Sequence, residues 1–334
     1  MAGGRGLSAE RLSPSEALRI LADPHALEAY SPFGSPLLAV DMREAAPAEP
    51  QLAERLTAVA AVTVAVTDAG APSPATEGFD CAVVGVEGLD ALAACVVARP
   101  LASLALVQLL RGSEKRSIEA GLVAESWVYS MLQAGPEFAG WGARRTPRER
   151  ETDARPPLRV ERDGATLALT FDRPEKRNAF SSSLRDALNE ALALAALDDG
   201  IRAIEITGAG PDFCSGGDLD EFGSFPDVVT AHAARTTRSA ARGLARLASR
   251  VTFHVHGACI GAGIELPAFG GRVVAAADAT FRLPEVSMGL VPGAGGTVSL
   301  PRRIGRQRTA WLALTGEALD VRTALAWGLV DALA

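Results

Sequence analysis

The 334-residue sequence predicts a layered α/β protein, on three observations. Short apolar runs alternate with stretches of helical periodicity along the first third of the chain. Strand, glycine turn and helix follow one another repeatedly along the second half. With 48% hydrophobic and 22% charged residues, the chain can build a sizeable core. At roughly 100–200 residues per domain, its length suits two domains or one large one.

In the first part, Leu37–Val40, Val62–Val66 and Cys81–Val84 read as strands, separated by the helical patterns Gln51–Val59 and Leu89–Val97. A helical region follows, over Ala102–Arg111 and Ser117–Leu132. In the second of these, Ile118, Leu122, Ser126, Tyr129 and Leu132 recur at helical spacing. The charged, proline-bearing stretch around residues 147–157 reads as a linker. The division is therefore 1–97, 98–146, the linker, and 158–334.

Beyond the linker, Leu158–Arg162 and Thr166–Phe171 form a hairpin pattern turned by Asp163-Gly164. Ser182–Leu194 is a helix with serines at its start. Ile201–Thr207 is a strand, Ala231–Leu247 a helical stretch and Val251–Val255 a strand.

A net charge of −7 argues against nucleic-acid binding, because a phosphate backbone needs a basic footprint. No apolar run reaches the ~18 residues of a membrane span, and Met1–Leu21 lacks an apolar core like that of a signal peptide. Cys81, Cys95, Cys214 and Cys259 show no Cys-x-x-Cys pair. A reducing, cytoplasmic compartment is expected, with no metal site.

Two glycine turns carry the chemical information. Asp212–Leu219 (DFCSGGDL) follows a strand, and its paired glycines allow close backbone approach to a ligand. His256–Leu266 (HGACIGAGIEL) also follows a strand and opens a helix, whose first N–H groups lack intrahelical partners. One N–H from each turn would stabilise an oxyanion.

Competing motif readings fail on single positions. The dinucleotide pattern Gly-x-Gly-x-x-Gly has Leu266 at its third glycine. A nucleophile elbow around Ser215 has Phe213 at its first glycine. Neither Tyr30 nor Tyr129 has the lysine four residues on that a short-chain dehydrogenase needs. His254 and His256 face one side of a strand, but no further ligand stands at metal spacing. Two glutamates remain. Glu265 lies in the first turn of a helix, and Glu285 is flanked by apolar residues that should raise its pKa.

Together these residues resemble the enoyl-CoA hydratase/isomerase (crotonase) superfamily, from about Leu158 to Leu333. The resemblance is carried, in order, by FDRPEKRNAF from Phe171, TGAG from Thr207, FCSGGDL from Phe213, the run from His256 to Leu266, Pro284-Glu285, and Gly289–Thr297. It implies a crotonase-like spiral of ββα units that binds an acyl-CoA thioester. It implies an oxyanion hole from the amides of Ser215 and Ala262, the latter where the family usually has glycine. It implies acid/base roles for Glu265 and Glu285. Coenzyme A contacts are implied at Lys176, Arg177, Asn178 and Ala179. Substrate contacts are implied at Gly216, Gly217, Asp218 and Leu219, and at Gly261 and Gly293. No cofactor is implied beyond the coenzyme A of the substrate, and a homo-oligomer (a trimer or dimer of trimers) is implied.

Having both glutamates favours an enoyl-CoA hydratase, with Glu285 delivering the Cα proton and Glu265 holding the water. An enoyl-CoA isomerase and a non-catalytic acyl-CoA-binding partner are the alternatives. Family members continue past the segment that ends here at Ala334 with several helices. Residues 98–145 look like that tail, with GLVAE from Gly121 and PEFAGW from Pro136. The N-terminal region is therefore expected to supply the missing helices, in cis or to a neighbouring subunit. Residues 37–84 are read as a degenerate half of the same fold, since VTVAVTDAG from Val62 echoes IEITGAG from Ile204.

Overall fold

A computed structural model describes residues 10–43, 50–70, 72–146 and 155–334. Most of the linker expected at 147–157 therefore lies outside the described residues.

The N-terminal strands β1 (Arg11–Leu12), β2 (Leu37–Asp41), β3 (Val62–Thr67) and β4 (Cys81–Val84) form a parallel sheet in the order β1-β2-β3-β4. Its small flanking helices are α1 (Pro14–Ala22), α2 (Pro24–Glu28) and α3 (Pro50–Leu56). The central strands are apolar on both faces, as a covered parallel sheet requires. Their twofold alternation splits them between two cores. Leu38 and Val40 join a satellite cluster with Leu52, Leu56 and Phe79, while Leu37 and Ala39 join the main core.

Four helices then cross to the rest of the chain: α4 (Gly85–Ala98), α5 (Pro100–Arg111), α6 (Ile118–Gln133) and α7 (Pro136–Gly142). Leu106, Leu110 and Leu122 on these helices are buried in the same cluster as residues 158–330, so one core spans both parts. Ser117 caps α6, accepting from the Ala120 amide. Among the described residues, no single helix is long and apolar enough to cross a membrane.

The C-terminal part begins with β5 (Leu158–Asp163), β6 (Thr166–Phe171), α8 (Ser182–Leu197) and β7 (Ala203–Gly208). There follow α9 (Val228–Thr237), α10 (Ala240–Leu247), β8 (Val251–Val255), β9 (Ala258–Ile260) and α11 (Ala262–Glu265). The chain closes with β10 (Arg272–Ala275), β11 (Thr280–Arg282), α12 (Gly296–Ile304), α13 (Arg306–Thr315), β12 (Leu319–Asp320), α14 (Val321–Trp327) and β13 (Ala332–Leu333). The large sheet has the order β13-β10-β8-β7-β6-β5, parallel except for the β5/β6 hairpin. A small sheet has the order β12-β11-β9.

Successive units enter the large sheet with one strand and extend short backbone toward the small one. β8 leads to β9 and β10 to β11, with β9 and β11 paired. Earlier in the chain, β7 leads to Cys214, which bridges Cys259, and β6 leads to Phe180, which bridges Gly217. This stacking is the spiral of ββα units expected of the crotonase fold. Phe213 anchors the turn after β7 by packing between Phe171 and Phe253, with ring centroids 5.4 and 6.1 Å away.

Two helical expectations are corrected. Ala231–Leu247 is not one helix: it breaks at Arg238–Ser239, where Ser239 caps α10 by accepting from the Arg242 amide. The helix opened by the second glycine turn is a single turn, α11, because Pro267 cannot continue it and a 3₁₀ turn follows. The echo between β3 and β7 extends to their ends, since Gly70 and Gly210 after them are both left-handed (φ +61° and +81°).

Candidate active site

The two glycine turns meet. The Cys214 amide donates to the Ala258 carbonyl at 3.1 Å, and the Ile260 amide to the Cys214 carbonyl at 2.9 Å. A Cβ on Gly216 (φ +98°) would lie 3.1 Å from the Ile260 carbonyl oxygen, so only glycine allows this approach. Gly261 (φ +52°) ends the second turn and places Ala262 at the first position of α11.

The donor expected at Ser215 is corrected by the backbone path. Arg177 and Asn178 both adopt left-handed φ angles (51° and 53°), and the Arg177 carbonyl accepts the Ser215 amide at 3.0 Å. That amide is committed inside the fold. The amides of Gly217 and Ala262 find no acceptor among the described residues, and both residues line one cleft of about 200 Å³. The open pair is therefore Gly217 with Ala262.

Glu265 and Glu285 line the same cleft, 2% and 8% exposed. Glu265 Oε2 accepts the amides of Ala294 and Gly296, each at 2.8 Å. Burial first, then the carboxyls of Glu285 and Glu125, push the Glu265 pKa well above the carboxylate range, against the pull of those two amides. Glu285 begins a 3₁₀ turn, Glu285–Met288, and packs against Gly261. Its Oε2 is buried without a hydrogen-bond partner among the described residues, and burial raises its pKa to about 7.

A third acid joins them from the N-terminal part. Glu125 on α6 is 3% exposed. Its Oε1 accepts the Gly295 amide at 2.7 Å, and its Oε2 accepts the amide and hydroxyl of Thr297 at 2.9 and 2.6 Å. Burial raises its pKa to about 7, despite those donors and the Arg235 charge. The loop 293–297 thus hangs from two glutamates, with Ala294 and Gly296 on Glu265 and Gly295 and Thr297 on Glu125. One turn further along α6, the Tyr129 ring packs against Gly293, where a Cβ would lie 2.5 Å from the ring. Sequence reasoning missed Glu125. The available signal was its place on the buried stripe of α6, one turn from Leu122 and one from Tyr129.

The other expected contacts divide. Gly217, Asp218 and Gly293 line the cleft. Asp218 is also held by Arg173, at 3.2 Å. Gly216 and Gly261 shape the backbone where the turns meet. Leu219 is 37% exposed, and its carbonyl accepts from Arg145.

Lys176, Arg177, Asn178 and Ala179 are not among the cleft-lining residues. Asn178 is fully buried, its side chain donating to the Ala209 and Asp212 carbonyls and accepting the Arg173 amide. Its expected contact with coenzyme A is corrected to a turn-holding role, because every polar atom of the side chain already has a partner. Arg177 pairs with Asp212 at 2.7 Å. His254 contacts Glu205, and His256 contacts the Gly210 carbonyl.

A family model described as enoyl-CoA hydratase/isomerase matches residues 161–334. The chain is similar to the 1,2-epoxyphenylacetyl-CoA isomerase of Escherichia coli (strain K12), 38% identical over 169 residues, which cover 49% of this chain and 64% of that protein. It is also similar to the 2,3-dehydroadipyl-CoA hydratase of that organism, 36% identical over 174 residues, covering 52% and 68%. Among solved structures, the enoyl-CoA hydratase from Thermoplasma volcanium GSS1 superposes with a TM-score of 0.50 at 34% identity, covering 54% of this chain and 72% of that one. The enoyl-CoA hydratase from Bacillus anthracis gives 0.50 at 29% identity, covering 53% and 70%. This chain thus spans just under two thirds of the first of these curated relatives.

Proposed function

Since the chain belongs to the enoyl-CoA hydratase/isomerase family, we propose that it is an enoyl-CoA hydratase, adding water across the 2,3 double bond of an enoyl-CoA thioester. The observation that carries this reading is the convergence of Glu265 and Glu285, both buried with raised pKa, on a cleft that two open amides also line.

Attack of water at Cβ moves negative charge onto the thioester oxygen. The amides of Gly217 and Ala262 receive that oxygen; loss of one such donor costs about 2.7–4 kcal/mol in a comparable hole. Glu265 takes one proton from the attacking water as its oxygen bonds to Cβ. Glu285 gives its proton to Cα, and the enolate electrons close the new C–H bond. The product is a 3-hydroxyacyl thioester. The proton on Glu265 then returns to Glu285, which completes the cycle.

Hydrogen bonding supports this division of roles. Two amides aimed at Glu265 Oε2 stabilise its charged form against the burial and neighbouring carboxyls that raise its pKa, whereas Glu285 Oε2 has no donor for a charged form. The Glu285 carboxyl itself raises the Glu265 pKa, so the two acids do not titrate independently.

The test is product analysis of the full chain with crotonyl-CoA and with a 3-enoyl-CoA. Formation of 3-hydroxybutyryl-CoA from the first supports hydration. Conversion of the second alone, to its 2-enoyl isomer, would replace this reading with an isomerase. Turnover of neither would favour an acyl-CoA-binding partner.

A further inference from the structure

Among the described residues, four arginines line the cleft, and three of them face carboxylates. Arg185 and Arg238 share Asp186, at 2.9 and 2.5 Å, and Arg242 pairs with Glu119 at 2.6 Å. Arg235, on α9, does not. Among the described residues, no carboxylate oxygen lies within 4.0 Å of its guanidinium. Its contacts are all to neutral oxygens of α6: Nε to Ser126 Oγ at 3.2 Å, Nη2 to the Ser126 carbonyl at 3.4 Å and to Ser130 Oγ, and Nη1 to Gln133 Oε1 at 3.5 Å. The guanidinium also stacks over the Tyr129 ring, 4.7 Å from its centroid.

A cation drawn out of water is costly unless an anion meets it. Glu125 acts on this cation only through space: its charge and that of Arg235 influence each other, but both of its oxygens are held by Gly295 and Thr297 rather than by the guanidinium. One Nη1 hydrogen of Arg235 is left over, and the Gln133 contact is long enough to be exchanged. The position is also informative. Ser126 adjoins Glu125, and Tyr129 packs on Gly293, so Arg235 sits one to two helical turns from the acid cluster, beside the same cleft.

We propose that Arg235 forms an anion subsite in the acyl part of the cleft, and that the preferred substrates are CoA thioesters whose acyl chain ends in a carboxylate. The inference rests on the acyl-CoA reading above. An acyl carboxylate and a phosphate of coenzyme A are both oxyanions that could meet a guanidinium. The acyl chain is the source argued here, because Arg235 is held against Tyr129 and the acid-bearing face of α6, where the reacting acyl group must lie.

The test is calorimetric binding of saturated CoA thioesters to the full chain, in matched pairs of four to eight acyl carbons. In each pair one ends in a carboxylate and the other in methyl, as with glutaryl-CoA and pentanoyl-CoA. At the best-fitting length the carboxylate ligand is expected to bind roughly tenfold tighter or more, as for a charged hydrogen bond. R235Q is expected to erase that ratio, and R235K to retain part of it.

Equal binding of both members at every length by the unaltered protein overturns the subsite while leaving the acyl-CoA reading in place. If R235Q weakens carboxylate, methyl and free coenzyme A ligands alike, the anion is a coenzyme A phosphate and the proposal fails. If no thioester binds at all, both readings fall together.

Discussion

Glu125 Oε2 accepts both the amide and the hydroxyl of Thr297, across 172 residues of chain. The acceptor comes from a helix outside the matched family segment, and the donors begin α12 inside it. The bond ties the N-terminal helices to the glycine loop that also holds Glu265. Glu125 is therefore a positioning residue: it holds the backbone on which a catalytic candidate hangs, and its charge acts on both candidate glutamates.

Removing that acceptor should loosen the loop and shift the titration together. E125A leaves the buried amides of Gly295 and Thr297 unpaired, for a stability loss of about 2–4 kcal/mol. Without the Glu125 charge, Glu265 and Glu285 ionise more readily, so the alkaline limb of the kcat/KM profile should move to lower pH. Urea unfolding and a pH–rate series read the two effects. E125Q should recover part of the stability but still show the moved limb.

Each of the two candidate glutamates should matter separately. E265Q and E285Q are each expected to reduce hydration about 10²–10⁴-fold with the fold intact by circular dichroism. Undiminished turnover in either variant would remove that residue from the mechanism.

The proposed oxyanion donor at Ala262 can be deleted without deleting a side chain's function. Position 262 is the first of α11, where proline is tolerated because its missing N–H has no helical partner. A262P should lower kcat about 10²–10³-fold with little change in the urea midpoint. S215A, in contrast, keeps an amide already bonded to Arg177 and should retain near-normal turnover.

Stability should fall as pH rises through the neutral range. The pKa values of Glu125 and Glu285 rise from 4.5 to about 7 on folding, so the native state holds protons that the unfolded chain releases. Their contribution is most favourable below pH 4.5, is lost between 4.5 and about 7, and is level above that. One such shift is worth roughly 3 kcal/mol. Urea midpoints at pH 5 and pH 8 measure the difference, and E285Q should reduce it. A midpoint that climbs over this interval would contradict the burial of these acids as carboxyls.

The N-terminal helices should be indispensable to the fold. Deleting residues 1–146 removes α5 and α6, uncovering the apolar faces of α12 and α13 against which they pack. An insoluble or inactive product is expected. A soluble, fully active one would show that the core closes without them.

The strands, the hairpin and the two glycine turns could be read from the chain because each is a local pattern. Short apolar runs mark β2 and β3, apolar alternation marks β8, Asp163-Gly164 marks a turn, and glycine marks the positive φ angles at 216 and 261. Glu265 and Glu285 stood out for the same reason, as acids placed in a helix start and an apolar run. What needed the folded chain was the identity of partners. Whether Ser215 or Gly217 has a free amide depends on where the carbonyl of Arg177 points, 38 residues away in sequence terms and in contact only after the turns stack. Glu125 looks like any helical acid until α6 lies over α12. Periodicity reveals which face of an element is buried; the three-dimensional path of the backbone alone decides what that face meets.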